Sequence, residues 1–276
     1  QGTTVFSFDE HDDPCVDMYT SSAVVYEGHT LIFPSVFRHF PSPPEWCCNN
    51  DGVWDVRIAS SRNGRNFSYI GGDRAPFLYR GRGEDPAPNT NASQQPPCSE
   101  VGGTNRWDSS LVSIVRGLIP DDETGTVRML YWGDVVRHGH HTVPCKSTGF
   151  AAVEVRKHGF ASLNSPPEWD SGAEFVTRPL TVKGLTLWLN VRTANGGTVT
   201  AELQNGTEVH NNKAVPLSGF ELENSVPMSG NAVSRKMLWT CNTTGRDRMP
   251  TATDEQVVRL RLVMRGHVEL YSFHFS

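Results

Sequence analysis

An all-β fold is predicted by three features of this 276-residue chain. Residues 16–69 and 107–163 read as two copies of one four-stranded unit. From Glu174 onward, apolar and polar side chains alternate with period two between turn signals. Nowhere does a capped apolar stripe of helical period persist. In the first unit Asp17 leads into a β-rich run ending at Tyr26, followed by strands at Thr30–Ser35 and Val56–Ser60 and an Asn63-Gly64 hairpin signal. In the second, Asp108 leads into Ser109 to Val115, followed by Val127–Gly133, Ala151–Val155 and His158-Gly159. A spacing of about 90 residues between such copies is the signature of propeller blades carrying insertions. Both aspartates would then open innermost strands, near the axis. Two blades cannot close a ring, so an upstream segment or another chain is expected to complete it.

The stretch 81–106 is rich in Gly, Pro, Asn, Ser and Gln with almost no large apolar side chain, and reads as a surface loop inserted between the blades. The Ser-Pro-Pro within 164–172 marks a domain boundary, giving blades over 1–168 and a second domain over 169–276. The second domain offers strands at Phe175–Thr177, Leu185–Val191, Thr198–Leu203, Lys236–Thr240, Val257–Val263 and Val268–Phe275. Half-buried strands in that number predict two packed sheets, a jelly-roll-like β-sandwich.

A formal charge of -5 without any lysine or arginine run argues against a nucleic-acid footprint and a basic membrane patch. No apolar stretch approaches the ~18 residues of a spanning helix. The chain starts at Gln1 with no signal-like segment, which predicts that any leader is already removed. Sequons at Asn66, Asn91, Asn205 and Asn242, together with six cysteines, predict a secreted glycoprotein. Cys15, Cys47, Cys48, Cys98, Cys145 and Cys241 lack zinc-ligand spacing and read as disulfide partners. For Cys98 the reading favours Cys47 or Cys48, with connectivity otherwise open. No metal site or cofactor is expected.

Asp17 and Asp108 are the candidate catalytic pair, because acid/base cleavage of a glycosidic bond needs two carboxyl groups whose environments push their pKa values apart. The alternative is that they bond the start of a strand in Asx-type turns. His39 and His138 each follow the second strand of their unit and are candidate pocket histidines. His140 and His141 belong to the same histidine-rich loop. Trp107 and Trp132 are candidate sugar-stacking faces, with Tyr19, Trp46 and Trp54 near the same strand ends. Core packing is the competing role for each. The acidic runs 9–13 and 121–123 lack EF-hand spacing and read as solvated turns, and no serine or cysteine nucleophile motif is present.

The run from Val16 through Leu31-Ile-Phe-Pro-Ser35 and His39, then Asp55 to Gly64, Trp107-Asp-Ser-Ser110 and His158 to Leu163 resembles the later blades of secreted proteins related to glycoside hydrolase families 32 and 43. Phe175 through Val226 to Arg235 and on to Tyr271–Phe275 resembles the C-terminal sandwich attached to those propellers. That resemblance implies a partial five-bladed β-propeller followed by a β-sandwich. It implies carbohydrate as the partner, and a catalytic nucleophile or base carried by a first blade lying ahead of Gln1. The Glu-Cys motif of the family 32 acid is absent. The implied function is a glycosidase-like glycoprotein that contacts carbohydrate in an axial pocket and hydrolyses it when the ring is complete. The competing reading is a non-catalytic extracellular structural or adhesion component.

Overall fold

The computed structural model describes residues 2–39, 50–71, 74–81, 107–139, 148–165, 172–210, 213–240 and 255–276. They form two compact units, Gln1–Val155 and Arg156–Ser276. Sequence composition placed the boundary at 168/169. Strand pairing draws residues 163–165 into the second unit instead, through the partners Leu163↔Leu270 and Ser165↔Val268. A proline cluster marks a chain turn, whereas a unit boundary is set by where the backbone hydrogen bonds go. Among the described residues every regular element is a strand apart from one 3-10 turn at Leu222–Asn224, and no helix is long and apolar enough to cross a membrane.

The first unit contains β1 (Val16–Tyr26), β2 (His29–His39), β3 (Gly52–Val56), β4 (Ala59–Ser61), β5 (Ser68–Tyr69), β6 (Leu111–Ile114), β7 (Ile119–Asp121), β8 (Thr126–Asp134) and β9 (Gly149–Arg156). β1 and β2 form a hairpin closed by Glu27 and Gly28, both at positive φ, as the right-handed twist of a two-residue turn demands. β3 and β4 are two halves of one interrupted strand, because both pair with β2, and β5 follows on β4. This is the four-stranded meander expected of residues 16–69.

The second copy differs from expectation. β6 and β7 both pair with β8 and β9 joins its other edge, while the expected fourth strand, β10 (Leu163–Ser165), pairs in the second unit. A parallel contact at Trp54↔Leu111 merges the two copies into one open nine-stranded sheet. Val36, Val53, Val112, Val127 and Met129 are buried along one face, while Phe37, Trp54 and Leu111 pack together on the other. The insertion expected at 81–106 lies outside the described residues, except for Gly81.

In the second unit β10, β11 (Ala173–Val176) and β12 (Leu180–Lys183) all pair with β16 (Glu255–Phe275). β13 (Leu187–His210) pairs with β16, with β14 (Lys213–Pro216) and with β15 (Asn231–Lys236). The strands expected at Leu185–Val191 and Thr198–Leu203 are therefore two halves of β13, and the last two expected strands are halves of β16. Asn195-Gly196, at positive φ, makes the irregularity between the halves of β13. The strand expected at Lys236–Thr240 forms earlier, as β15. Side chains of both halves of both long strands enter one core that includes Leu187, Leu189, Leu203, Leu260, Leu262 and Leu270. Period-two alternation is thus preserved across a bend that sequence reading takes for a strand end.

Candidate functional site

The face carrying Phe37 and Trp54 brings most of the expected site residues together. Residues directly opposite across paired strands share a face, and Asp17↔Phe37, Phe37↔Trp54 and Trp54↔Leu111 continue to Leu111↔Asp134 on β8. Trp132, two residues before Asp134, belongs to that same side and meets Trp54 edge-on at 5.9 Å between ring centroids. His39 lies two residues beyond Phe37 on β2, with its ring 4.2 Å from that of Phe37.

β1 departs from regular register between Met18 and Ser21. A bulge re-aims the side chains it contains, and here those are Tyr19 and Thr20. Thr20 Oγ1 donates to Ser35 Oγ, which lies 2.7 Å from Ser113 Oγ, and Ser113 in turn accepts from Trp54 Nε1. This hydroxyl network fixes the indole beneath Tyr19. The Tyr19 ring stacks on Trp54 at 4.8 Å and 25°, and meets Phe37 and His138 edge-on. Tyr19 remains 49% exposed on a bed of buried aromatics.

His138 is 8% exposed and reaches this face by an antiparallel bridge with Gly52. Its Nδ1 lies 3.0 Å from Asn50 O and its Nε2 lies 2.8 Å from Tyr19 Oη. A carbonyl oxygen only accepts, so Nδ1 carries the proton. In the neutral ring, Nε2 then accepts from the Tyr19 hydroxyl. Both ring nitrogens are thus engaged, and His138 holds the Tyr19 hydroxyl.

Asp17 and His39 make the polar flank. Asp17 is the second residue of β1 rather than a residue ahead of it, and its carboxylate is 72% exposed while the His39 side chain is 10% exposed. His39 Nε2 donates to Asp17 Oδ2 over 2.8 Å. Aligned by a nearly buried imidazole, the carboxylate keeps acceptor sites facing solvent.

Asp108 sits in a different setting despite its matching place in the repeat. It lies in the turn ahead of β6, is 2% exposed, and accepts from Tyr131 Oη at 2.8 Å. Trp107 stacks on that same Tyr131 ring at 5.7 Å and 19°. A Cβ on Gly133 would stand 2.7 Å from Asp108 Cβ, which places Asp108 on the Tyr131 and Gly133 side of β8. Successive strand residues point to opposite faces, so this is the side away from Trp132. The structure therefore groups Asp17, His39, His138 and Trp132, and groups Asp108 with Trp107 on the opposite face.

Tyr19 is the residue whose importance the sequence understates. Its signal was an aromatic within a polar stretch, Tyr-Thr-Ser-Ser, at the start of a strand; the bulge that lifts it out of register is a tertiary feature. Among the remaining sequence candidates, Trp46, His140, His141, Asn91, Asn242 and all cysteines except Cys15 lie outside the described residues. Cys15 is disulfide-bonded. Asn66 is exposed in its turn, whereas Asn205 lies in β13 with Oδ1 accepting from Thr207. The acidic run 9–13 is not simply solvated: Arg57 and Arg74 bind Asp12, Arg74 also binds Asp9, and both guanidiniums lie over the Tyr69 ring. Among the described residues no three His, Cys, Asp or Glu side chains converge as a metal site.

No family model and no curated protein matches the chain. Among solved structures it is similar to Zg3597, a family 117 glycoside hydrolase produced by the marine bacterium Zobellia galactanivorans. The identity is 11% and the TM-score 0.33, over 94% of this chain and 89% of that one. It is also similar to the Bombyx mori GH32 beta-fructofuranosidase BmSUC1, at 10% identity and TM-score 0.20, over 94% of this chain and 66% of that one. Both neighbours are glycoside hydrolases; likeness at this level carries no argument about the site.

Proposed function

We propose that the chain is a secreted, glycosidase-like glycoprotein that binds carbohydrate on the Tyr19 face. In this reading the first unit supplies later blades of a five-bladed propeller, and the second is a β-sandwich. The meanders β1–β5 and β6–β9 support the blades, and the single core shared by the bent strands β13 and β16 supports the sandwich. The four sequons and the disulfide at Cys15 support secretion.

One observation carries the reading: an exposed tyrosine ring, backed by buried Trp54, lies two residues along β1 from an exposed carboxylate aligned by His39. A sugar ring has an apolar face that gains from burial against an aromatic and hydroxyls that need acceptors, and this pairing offers both. Hydrolysis of a glycosidic bond needs a second carboxyl group flanking the bond. Asp17 is the carboxyl group we assign to the site, and the segment or chain that completes the ring supplies its counterpart. Asp108 anchors the turn before β6.

The test is titration of the protein with a panel of oligosaccharides, followed by nuclear magnetic resonance. Tyr19→Ala and Asp17→Asn are expected to weaken the best ligand by about tenfold or more, as loss of a stacking face or a charged hydrogen bond does. Unchanged affinity in both variants would overturn the assignment.

A further inference from the structure

The charge around the Tyr19 face selects among carbohydrates, and this step rests on the glycan site proposed above. Asp17 presents a 72% exposed carboxylate beside the ring. Asp134 shares that side of the sheet, where it accepts from Val136 N and Thr148 Oγ1. Among the described residues the nearby cations are already committed. Arg137, next to His138, is buried and lies 3.3 Å from the carboxylate of Asp51. Arg128, on the same side of β8, pairs with Asp121 and Glu154. Arg38 pairs with Asp13, and its register partner Val16 places it on the other face from Asp17. Among the described residues the remaining titratable groups at the site are His39, His138 and Tyr19; His39 donates to Asp17, and His138 bonds Tyr19 and Asn50.

We infer that this site takes neutral sugars and rejects uronate- or sulfate-bearing ones. An anionic substituent on a ring stacked over Tyr19 would approach a solvent-exposed carboxylate with no uncommitted guanidinium or ammonium described on that face to receive it. A hydroxyl pair meets the opposite situation, an acceptor already oriented by His39. Two like charges about 4 Å apart repel enough, between bulk-water and surface dielectric, to change affinity by roughly tenfold or more. His39 acts here as a positioning residue: it aims the carboxylate and does not itself set the charge preference.

The experiment compares neutral, uronate-containing and sulfated oligosaccharides of matched length by calorimetric titration at low salt, on the wild-type chain, Asp17→Asn, His39→Ala and Tyr19→Ala. The expected wild-type preference for the neutral ligand is about tenfold or more, and it should shrink as salt is added. Asp17→Asn is expected to bring the ligands within about threefold of one another. His39→Ala should weaken the neutral ligand several-fold while keeping the preference, which a merely structural loss would not do. A melting curve for each variant confirms that it folds. Anionic ligands that bind the wild type as tightly as neutral ones in a Tyr19-dependent way would overturn the selectivity and leave the glycan site standing. An Asp17→Asn variant with the wild-type preference would do the same. If no oligosaccharide binds in a Tyr19-dependent way, both fall together.

Discussion

Tyr19 Oη and His138 Nε2 lie 2.8 Å apart, joining residues 119 positions apart in the chain. Because Nδ1 is turned to Asn50 O, this contact has a defined direction, with the phenol as donor. It ties the bulge in β1 to the chain that follows β8, and so connects the two blade-like copies at the ring proposed to meet substrate.

Tyr19→Phe separates the two roles of this residue. The aromatic face survives, so oligosaccharide affinity is expected to stay within about threefold of wild type. His138 Nε2 loses its donor in a buried setting, which costs about 1–3 kcal/mol. Chemical denaturation and ligand titration on the same variant check both halves.

Asp108→Ala is expected to act on stability rather than on binding. It removes the buried carboxylate that accepts from the Tyr131 hydroxyl, again at about 1–3 kcal/mol, while the Tyr19 face lies across the sheet. An Asp108→Ala protein that melts like wild type but no longer binds or processes a glycan would move the chemistry to the other side of β8.

Gly133→Ala addresses the same packing from the strand. The new methyl would stand 2.7 Å from Asp108 Cβ and 3.0 Å from both Leu111 O and Trp107 Cζ3. Overpacking of this kind costs roughly 1–3 kcal/mol. A lowered denaturation midpoint with an unchanged slope is the expected reading.

The N-terminal segment is expected to loosen in acid. Burial alone would raise the Asp12 carboxyl, but the Asp9 amide, Arg74 and Arg57 together hold it below the usual 3.8. Asp9 is also lowered, first by its bond to Arg74. A depressed folded-state pKa contributes stability that is fully present above the unfolded value and is lost as pH falls through the folded one. Stability of the first unit should therefore decline from about pH 4 downward, and Asp12→Asn should flatten that decline while lowering stability at neutral pH. Denaturation midpoints measured between pH 2 and 7 decide this.

Arg156→Lys, at the last residue of β9 and the first of the second unit, tests that unit. The guanidinium donates from Nε to Asn190, from Nη1 to Asn231 and from Nη2 to Val191 O, and it lies 5.0 Å over the Tyr271 ring. An ammonium cannot reproduce that planar fork. A loss of about 1–3 kcal/mol is expected in denaturant unfolding, with oligosaccharide binding on the first unit unchanged.

The all-β class, the positions of β1, β2, β8 and β9, and the apolar alternation of the second unit were legible in one dimension. These follow from short-range rules: period-two burial, turn residues that accept positive φ, and the absence of helical periodicity. The sequence also brought Asp17, His39, His138 and Trp132 forward, since strand ends in matching places of a repeat are visible in one dimension. Which of them share a surface follows from strand register and pairing. Matching positions in a repeat gave Asp17 and Asp108 the same expectation, yet Asp17 is a strand residue opposite Phe37 with its carboxylate in solvent, whereas Asp108 lies in the turn ahead of β6 and is buried against Tyr131 on the other face. The tertiary structure also sets the exposure of Tyr19, named in the sequence only among several aromatics, through a register break in β1. It also joined strands that looked separate, because a bend between two halves that keep their inward alternation leaves the same local pattern as a strand end.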